Sequence, residues 1–330
     1  MRYLSPARLA AVGLFLVGLA ALVLWLAPAD GYDVLLVDPA HPVAPLVHLP
    51  KEKAAPGGGA IYFVDVRERP ARLLERIFPW ARADGSSLVP SPPTSRAVER
   101  TIGRVDMTDS QRAAAIVALR SLGYSVQWRF GGVTVLQVDA SAPAAKVLEP
   151  GDVIVGAAGR TVSGIDELRR ILAGREPGDP VAIRFRRGGA TRKATVRTVP
   201  APDNPKRAII GISAEEQVQV RLPFRVRIDA GGIGGPSAGL AFALDILQES
   251  GRDVAHGRKI AATGALAPNG AVGEIGGVKQ KTLGARRAGV DVFLVPAGDN
   301  ATEARRYADG LRIIAVKNFP QALRALATIG

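Results

Sequence analysis

From Leu9 to Ala27 the chain reads LAAVGLFLVGLAALVLWLA, nineteen residues that are apolar throughout. No other segment restricts the fold as much. A helix of that length runs about 28 Å, close to the ~30 Å hydrocarbon core of a bilayer. It has no polar face to turn toward water, which excludes an amphipathic surface helix. Arg2 and Arg8 precede the run and Asp30 follows it. The positive-inside rule then puts the N-terminus in the cytoplasm and everything after residue 30 outside. The sequence predicts an uncleaved anchor over 1–30, a single pass through the cell membrane. The competing reading is a cleaved signal peptide, because Ala27-Pro28-Ala29 loosely resembles an A-x-A site.

Several chemistries are excluded by residue counts. There is no cysteine among the 330 residues, so disulfides, thiolate metal sites and a Cys nucleophile are out. The three histidines, His41, His48 and His256, form no HExxH, and no GxxxxGK[ST] is present. A zincin and a P-loop ATPase are therefore excluded, and neither a metal nor a cofactor is expected. The formal charge of +13 comes with only 5% aromatic residues. Without an aromatic-rich basic cluster to stack bases, nucleic acid is not an expected partner, and the arginine excess reads as a general surface property.

Short elements punctuate the remainder. AIYFVDV (60–66) reads as a strand after a glycine turn, and 82–97 as a Pro/Ser-rich loop. Thr108 or Asp109 can cap a helix through SQRAAAIVALRSLG, ending at Gly123. Strand patterns occupy 133–138 and 181–186, and FRVRID (224–229) reads as another. Between about 125 and 200, SAPA, GDVI and an amphipathic helix over 165–172 occur in order. This stretch resembles a bacterial PDZ domain. Such domains bind extended peptides by adding a strand to a sheet edge beside a helix. The resemblance puts the groove at Gly131, Gly132, Val133 and Val135 on the strand, with Leu168 on the helix. A module that packs on its neighbour and binds no peptide is the alternative.

GGPSAG (234–239) lies between a strand and the helical pattern SAGLAFALDILQES. Ser237 there would sit at a helix N-terminus, where backbone N–H groups and the positive dipole end suit a developing oxyanion. Serine is also a common N-cap. A serine nucleophile needs a base, and a lysine serves if burial lowers its pKa toward neutrality. Two lysines open a helix in GGVKQKTLGARR (276–287). Val278, Lys281, Ala285 and Ala288 share one face of otherwise small apolar groups, whereas Lys279 projects with Leu283 and Arg286. Lys281 is the better candidate for a desolvated amine.

GGPSAGLAFALDIL and IAATGALAPNGAVGEIGGVKQKTLGARRAGVDVFLVP together resemble the proteolytic domain of the Lon family. The resemblance implies Ser237 as nucleophile, Lys281 as general base and Thr263 as support for the lysine amine, with backbone N–H groups at Ser237 and Ala238 holding the oxyanion. The family often has Glu where this chain has Ala265, and Asp where it has Gly234; both departures remove a carboxylate near the site. Anchor, PDZ module and Lon-type domain together resemble the PDZ-containing Lon-like serine proteases (YlbL-type). The expected fold class is α+β. The expected division is 1–30 anchor, 31–124 first part of the protease domain, 125–204 PDZ domain and 205–330 catalytic part, with the PDZ module inserted into the protease domain. The expected activity is that of a membrane-anchored serine endopeptidase acting outside the cytoplasmic membrane. The alternative is a membrane-tethered PDZ adaptor with an inactive protease domain. Expected partners are protein or peptide substrates and the membrane, with a homo-oligomer left open.

Overall fold

A computed structural model describes residues 6–51, 53 and 55–329. Helix α1 (Pro6–Leu26) leads to strands β1 (Pro28–Val37), β2 (His41–Pro42), β3 (Ala60–Phe63), β4 (Val66–Arg72) and β5 (Ser87–Pro90), then to the long helix α2 (Arg96–Ser121). A module follows with β6 (Gln127–Val138), β7 (Val153–Ala157), α3 (Ile165–Ala173), β8 (Pro180–Arg187), β9 (Ala190–Arg197) and β10 (Ile212–Arg221). The last part holds α4 (Gly239–Glu249), β11 (Lys259–Ala262), α5 (Val278–Arg287), β12 (Val292–Pro296), α6 (Asp299–Arg306), β13 (Arg312–Val316) and α7 (Phe319–Ala327). The fold is α+β.

A five-stranded sheet in the order β2-β3-β11-β12-β13 forms the centre. It is parallel except for the β2–β3 pair. Successive residues of a strand face opposite sides, and both sides are covered here. Ile61, Phe63, Ile260, Ala262, Val292 and Leu294 point into a core shared with α2, α4 and α7. Val64, Ala261, Phe293 and Val295 point into a second core with α5 and α6. Burial on both faces explains why the strand sequences are continuous apolar runs rather than alternating ones. Leu240, Phe242, Leu244, Ile246 and Leu247 of α4 are fully enclosed, each contributing roughly 1.5–3 kcal/mol of burial free energy.

Helix α2 begins well before the expected start near residue 110. Ser95 caps it, its hydroxyl accepting from the Val98 N–H at 3.4 Å. The first half, RAVERTIGRVDM, has no apolar stripe to advertise it, and Gly103 disfavours a helix by ~1 kcal/mol relative to Ala. Gly103 lies against the turn that carries Gly234, where a Cβ would make an ordinary contact with the Gly234 backbone at 3.5 Å. The expected 82–97 loop also holds a strand, because β5 pairs antiparallel with β1, Ser87 opposite Leu35. FRVRID contributes only the two-residue strand Arg227–Ile228, paired with Val47–His48.

The module has its own core, including Val133, Val135, Leu148, Ile154, Leu168, Ile183 and Phe185. Its sheet runs β9-β8-β7-β6-β10. Among the described residues no helix is long and apolar enough to cross a membrane, so the anchor expected over 1–30 is not supported by the fold. Arg2, which carries part of the topology expectation, lies outside the described residues. Within α1 Leu14, Phe15 and Val17 stand exposed.

Candidate active site

The turn carrying Ser237 is fixed from two sides. Gly235 donates its N–H to the Gly103 carbonyl at 2.8 Å, and Ser110 Oγ donates to the Pro236 carbonyl at 3.1 Å. From the opposite side, Gly264 N–H donates to the Ser237 carbonyl at 2.8 Å and Thr263 Oγ1 to the same oxygen at 3.2 Å. Helix α4 starts immediately afterward with Ala238 as N-cap and no side-chain cap. Ser237 therefore does not cap α4 with its hydroxyl, and the ordinary structural use of a serine at this position is not the one found. Ala238 heads the helix, where unpaired N–H groups and the dipole favour negative charge.

Lys281 lies in the first turns of α5. Gly277 caps that helix in the left-handed region at φ 67°, and a Cβ there would also strike Val66 at 2.7 Å. Lys281 is only 5% exposed. Burial lowers its pKa from 10.5 to about 8, against the opposing pull of the Asp65 carboxylate. Lys279 differs: its Nζ donates to the Ser86 carbonyl at 3.3 Å and lies 5.6 Å from the Tyr307 ring. Ser237 and Lys281 line one cavity of about 510 Å³, together with Asp65, Leu35 and the glycines 232, 234, 276 and 277. A larger cavity of about 820 Å³ opens between α2 and the module, among Arg112, Arg129, Arg186 and Arg221; it holds neither a nucleophile nor a base.

Thr263, which the resemblance implied as support for the lysine amine, donates its hydroxyl to the Ser237 carbonyl. Asp65 is the residue that sequence reasoning missed. It supplies a carboxylate to the cavity in a chain that lacks acids at positions 234 and 265. Burial, with the Asp38 charge nearby, raises its pKa, and its Oδ1 has no hydrogen-bond partner. Asp38, His41 and Asp65 bring ligand-type atoms within 4.8 Å of one another. The Arg67 guanidinium already binds both oxygens of Asp38, which lowers the Asp38 pKa and occupies a ligand a metal would need.

The expected peptide groove is misplaced. Gly131, Gly132, Val133 and Val135 lie on β6, whose two edges are taken by β7 and β10. A strand with both edges paired cannot accept another. Leu168, on α3, is buried in the module core. Among the described residues the edge strands of this sheet are β9 and β10, and α3 packs against β10.

Residues 120–198 match the family model of the PDZ domain, and residues 206–328 that of the Lon protease (S16) C-terminal proteolytic domain. The chain is 40% identical over 84 residues to Lon protease 1 of Sorangium cellulosum, covering 24% of this chain and 10% of that protein. It is 32% identical over 110 residues to Lon protease 2 of Bacillus subtilis, covering 33% and 19%. The chain thus spans no more than a fifth of the length of these relatives. A solved PDZ domain of an SdrC-like protein from Listeria monocytogenes is 27% identical, with a TM-score of 0.24, covering 26% of this chain and 88% of that one. The class defined by fold and matches is a serine peptidase domain joined to a PDZ domain. More particularly, the chain carries a PDZ domain together with a Lon-type C-terminal proteolytic domain.

Proposed function

We propose that the protein is a membrane-anchored serine endopeptidase working through a Ser237–Lys281 dyad on the outer side of the cytoplasmic membrane. Ser237 Oγ attacks the scissile carbonyl while neutral Lys281 Nζ takes its proton, then returns it to the leaving amine. Backbone N–H groups of Ser237 and Ala238 receive the oxyanion, and Thr263 positions the nucleophile through the Ser237 carbonyl. Water then hydrolyses the acyl-enzyme with the same lysine as base. The observation that carries this reading is a buried amine, its pKa brought to about 8, in the cavity that Ser237 lines.

Residues 31–124 and 205–330 form one protease body in this proposal, with the PDZ domain (125–204) inserted. Support comes from the single core that unites Ile61 and Phe63 with Ala114 and Ala118 of α2 and Leu240 to Leu247 of α4. Peptides add to the β10 edge beside α3, either recruiting substrate or gating the site. Anchoring through α1 is favoured by the uncharged run and its exposed apolar side chains. The test is expression of wild type, Ser237→Ala, Lys281→Ala and Lys279→Ala, with peptide hydrolysis and trapped polypeptides compared. The first two variants lose hydrolysis while staying folded, and Lys279→Ala keeps it; equal loss at Lys279 overturns the assignment.

A further inference from the structure

The short helix Leu73–Ile77 and the turn after it present Ile77, Phe78 and Trp80 to solvent at 50%, 37% and 78% exposure. Single exposed apolar residues are ordinary, but three within four positions form a patch that needs a partner. The patch adjoins the C-terminal end of α1, because α1 packs on this short helix. Cationic and aromatic groups surround it. The Arg72 guanidinium lies 3.9 Å from the Trp25 ring centre, and that of Arg76 lies 4.5 Å from Tyr32. Arg82 donates to the Glu75 carbonyl at 2.6 Å. Of the acids in this region, Glu75 is buried and bound by Arg69, Asp84 is reached by Arg287 of α5, and Asp30 is exposed at the foot of α1.

From this juxtaposition we infer that Ile77, Phe78 and Trp80 seat in the interfacial layer of the bilayer that α1 enters. Aromatic rings with one wet edge favour that layer, and arginines reach from it to lipid phosphates. A partner protein is the weaker occupant, since continuity with the end of α1 fixes the patch at the membrane surface. The inference rests on anchoring by α1 and adds an orientation to it. Leu35, in the catalytic cavity, lies nine residues beyond Leu26. At no more than ~3.3–3.6 Å per residue, the cavity stands within about 30 Å of the foot of α1. With the patch seated, the body cannot swing away on its tether, and the substrates in reach are chain segments close to the outer membrane surface.

The absence of cysteine makes the test direct. Trp80→Cys and, as a distant exposed reference, Asp203→Cys are spin-labelled in the full-length protein reconstituted into phosphatidylglycerol-containing vesicles. Accessibility of the label to oxygen and to a water-soluble nickel chelate is then measured. The expected result is a label at position 80 that is oxygen-accessible and chelate-protected, with the opposite at position 203. Equal chelate access at both positions in protein that floats with the vesicles overturns the seating while leaving the anchor intact. Protein that does not float overturns the anchoring and this inference with it.

Discussion

Replacing Asp65 by Asn tests the electrostatics of the site where they are most exposed to contradiction. In the wild type, burial brings Lys281 from 10.5 to about 8, which corresponds to about 3 kcal/mol favouring the neutral amine. Only that form accepts a proton, so roughly a tenth of the enzyme is competent at pH 7 and nine-tenths at pH 9. The pH profile of kcat/KM therefore rises about tenfold between those values and then levels. An unburied lysine would keep rising toward its usual range. The Asp65 carboxylate pulls against burial, stabilising the ammonium form. Its removal lowers the Lys281 pKa further, and the inflection moves to lower pH. The shift shows only where wild-type Asp65 is ionised, above its own raised pKa. The assay is cleavage of a soluble fluorogenic peptide from pH 5.5 to 10, with circular dichroism at each pH to confirm folding. An inflection that stays put or moves to higher pH in Asp65→Asn refutes the placement of Asp65 against the lysine. A flat wild-type profile refutes a lysine base altogether.

Other consequences follow from packing and burial. A Cβ at Gly284 would lie 2.1 Å from the Asp38 carbonyl oxygen, so Gly284→Ala forces α5 away from the chain after β1 and costs about 1–3 kcal/mol, read as a lower midpoint in thermal unfolding; an unchanged midpoint contradicts the contact. Asp245 is buried on α4 with an unpartnered Oδ2, and burial raises its pKa to about 8. A carboxyl raised in the folded state loses its stability contribution as pH climbs toward that value. Asp245→Asn accordingly narrows the fall in denaturant midpoint between pH 6 and 9, and an unaltered fall rejects the assignment. A 205–330 fragment lacks β3 and α2, which cover the α4 core, and stays unfolded by circular dichroism; a folded, active fragment disproves the split body.

Where chemistry was written locally, it was legible. GGPSAG and GVKQKT carry their glycines and lysines within a few residues of one another, and helical spacing separates Lys281 from Lys279. Asp65 escaped because its tie to Lys281 spans most of the chain, and an acid at the end of a strand has no local mark. The PDZ groove failed for a related reason. Whether β6 has a free edge depends on β10, which lies beyond the 125–204 stretch read as the PDZ domain, and pairing partners are a property of topology. The first half of α2 was hidden because it has no apolar period, while its Gly103 carbonyl accepts from Gly235 N–H of the distant nucleophile turn. β5 was hidden by prolines that an edge strand tolerates.

The β3–β11 pairing sets a kinetic problem for the newly made chain. Ala60 pairs with Lys259, and closing that loop of about two hundred residues is an entropic barrier that grows only logarithmically with length. If β6 and β10 pair first, Gln127 is already beside Arg221, and the effective loop falls to roughly half its length. The saving is about 0.6 kcal/mol, a two- to threefold gain in closure rate. The inserted module is thus a weak accelerator of assembly. The parallel sheet, and with it the cavity joining residues 65, 237 and 281, forms late, as expected of long-range pairing. A ribosome-bound chain shorter than about 290 residues has no β12 to complete that sheet, so the cavity is assembled only after that strand has been made.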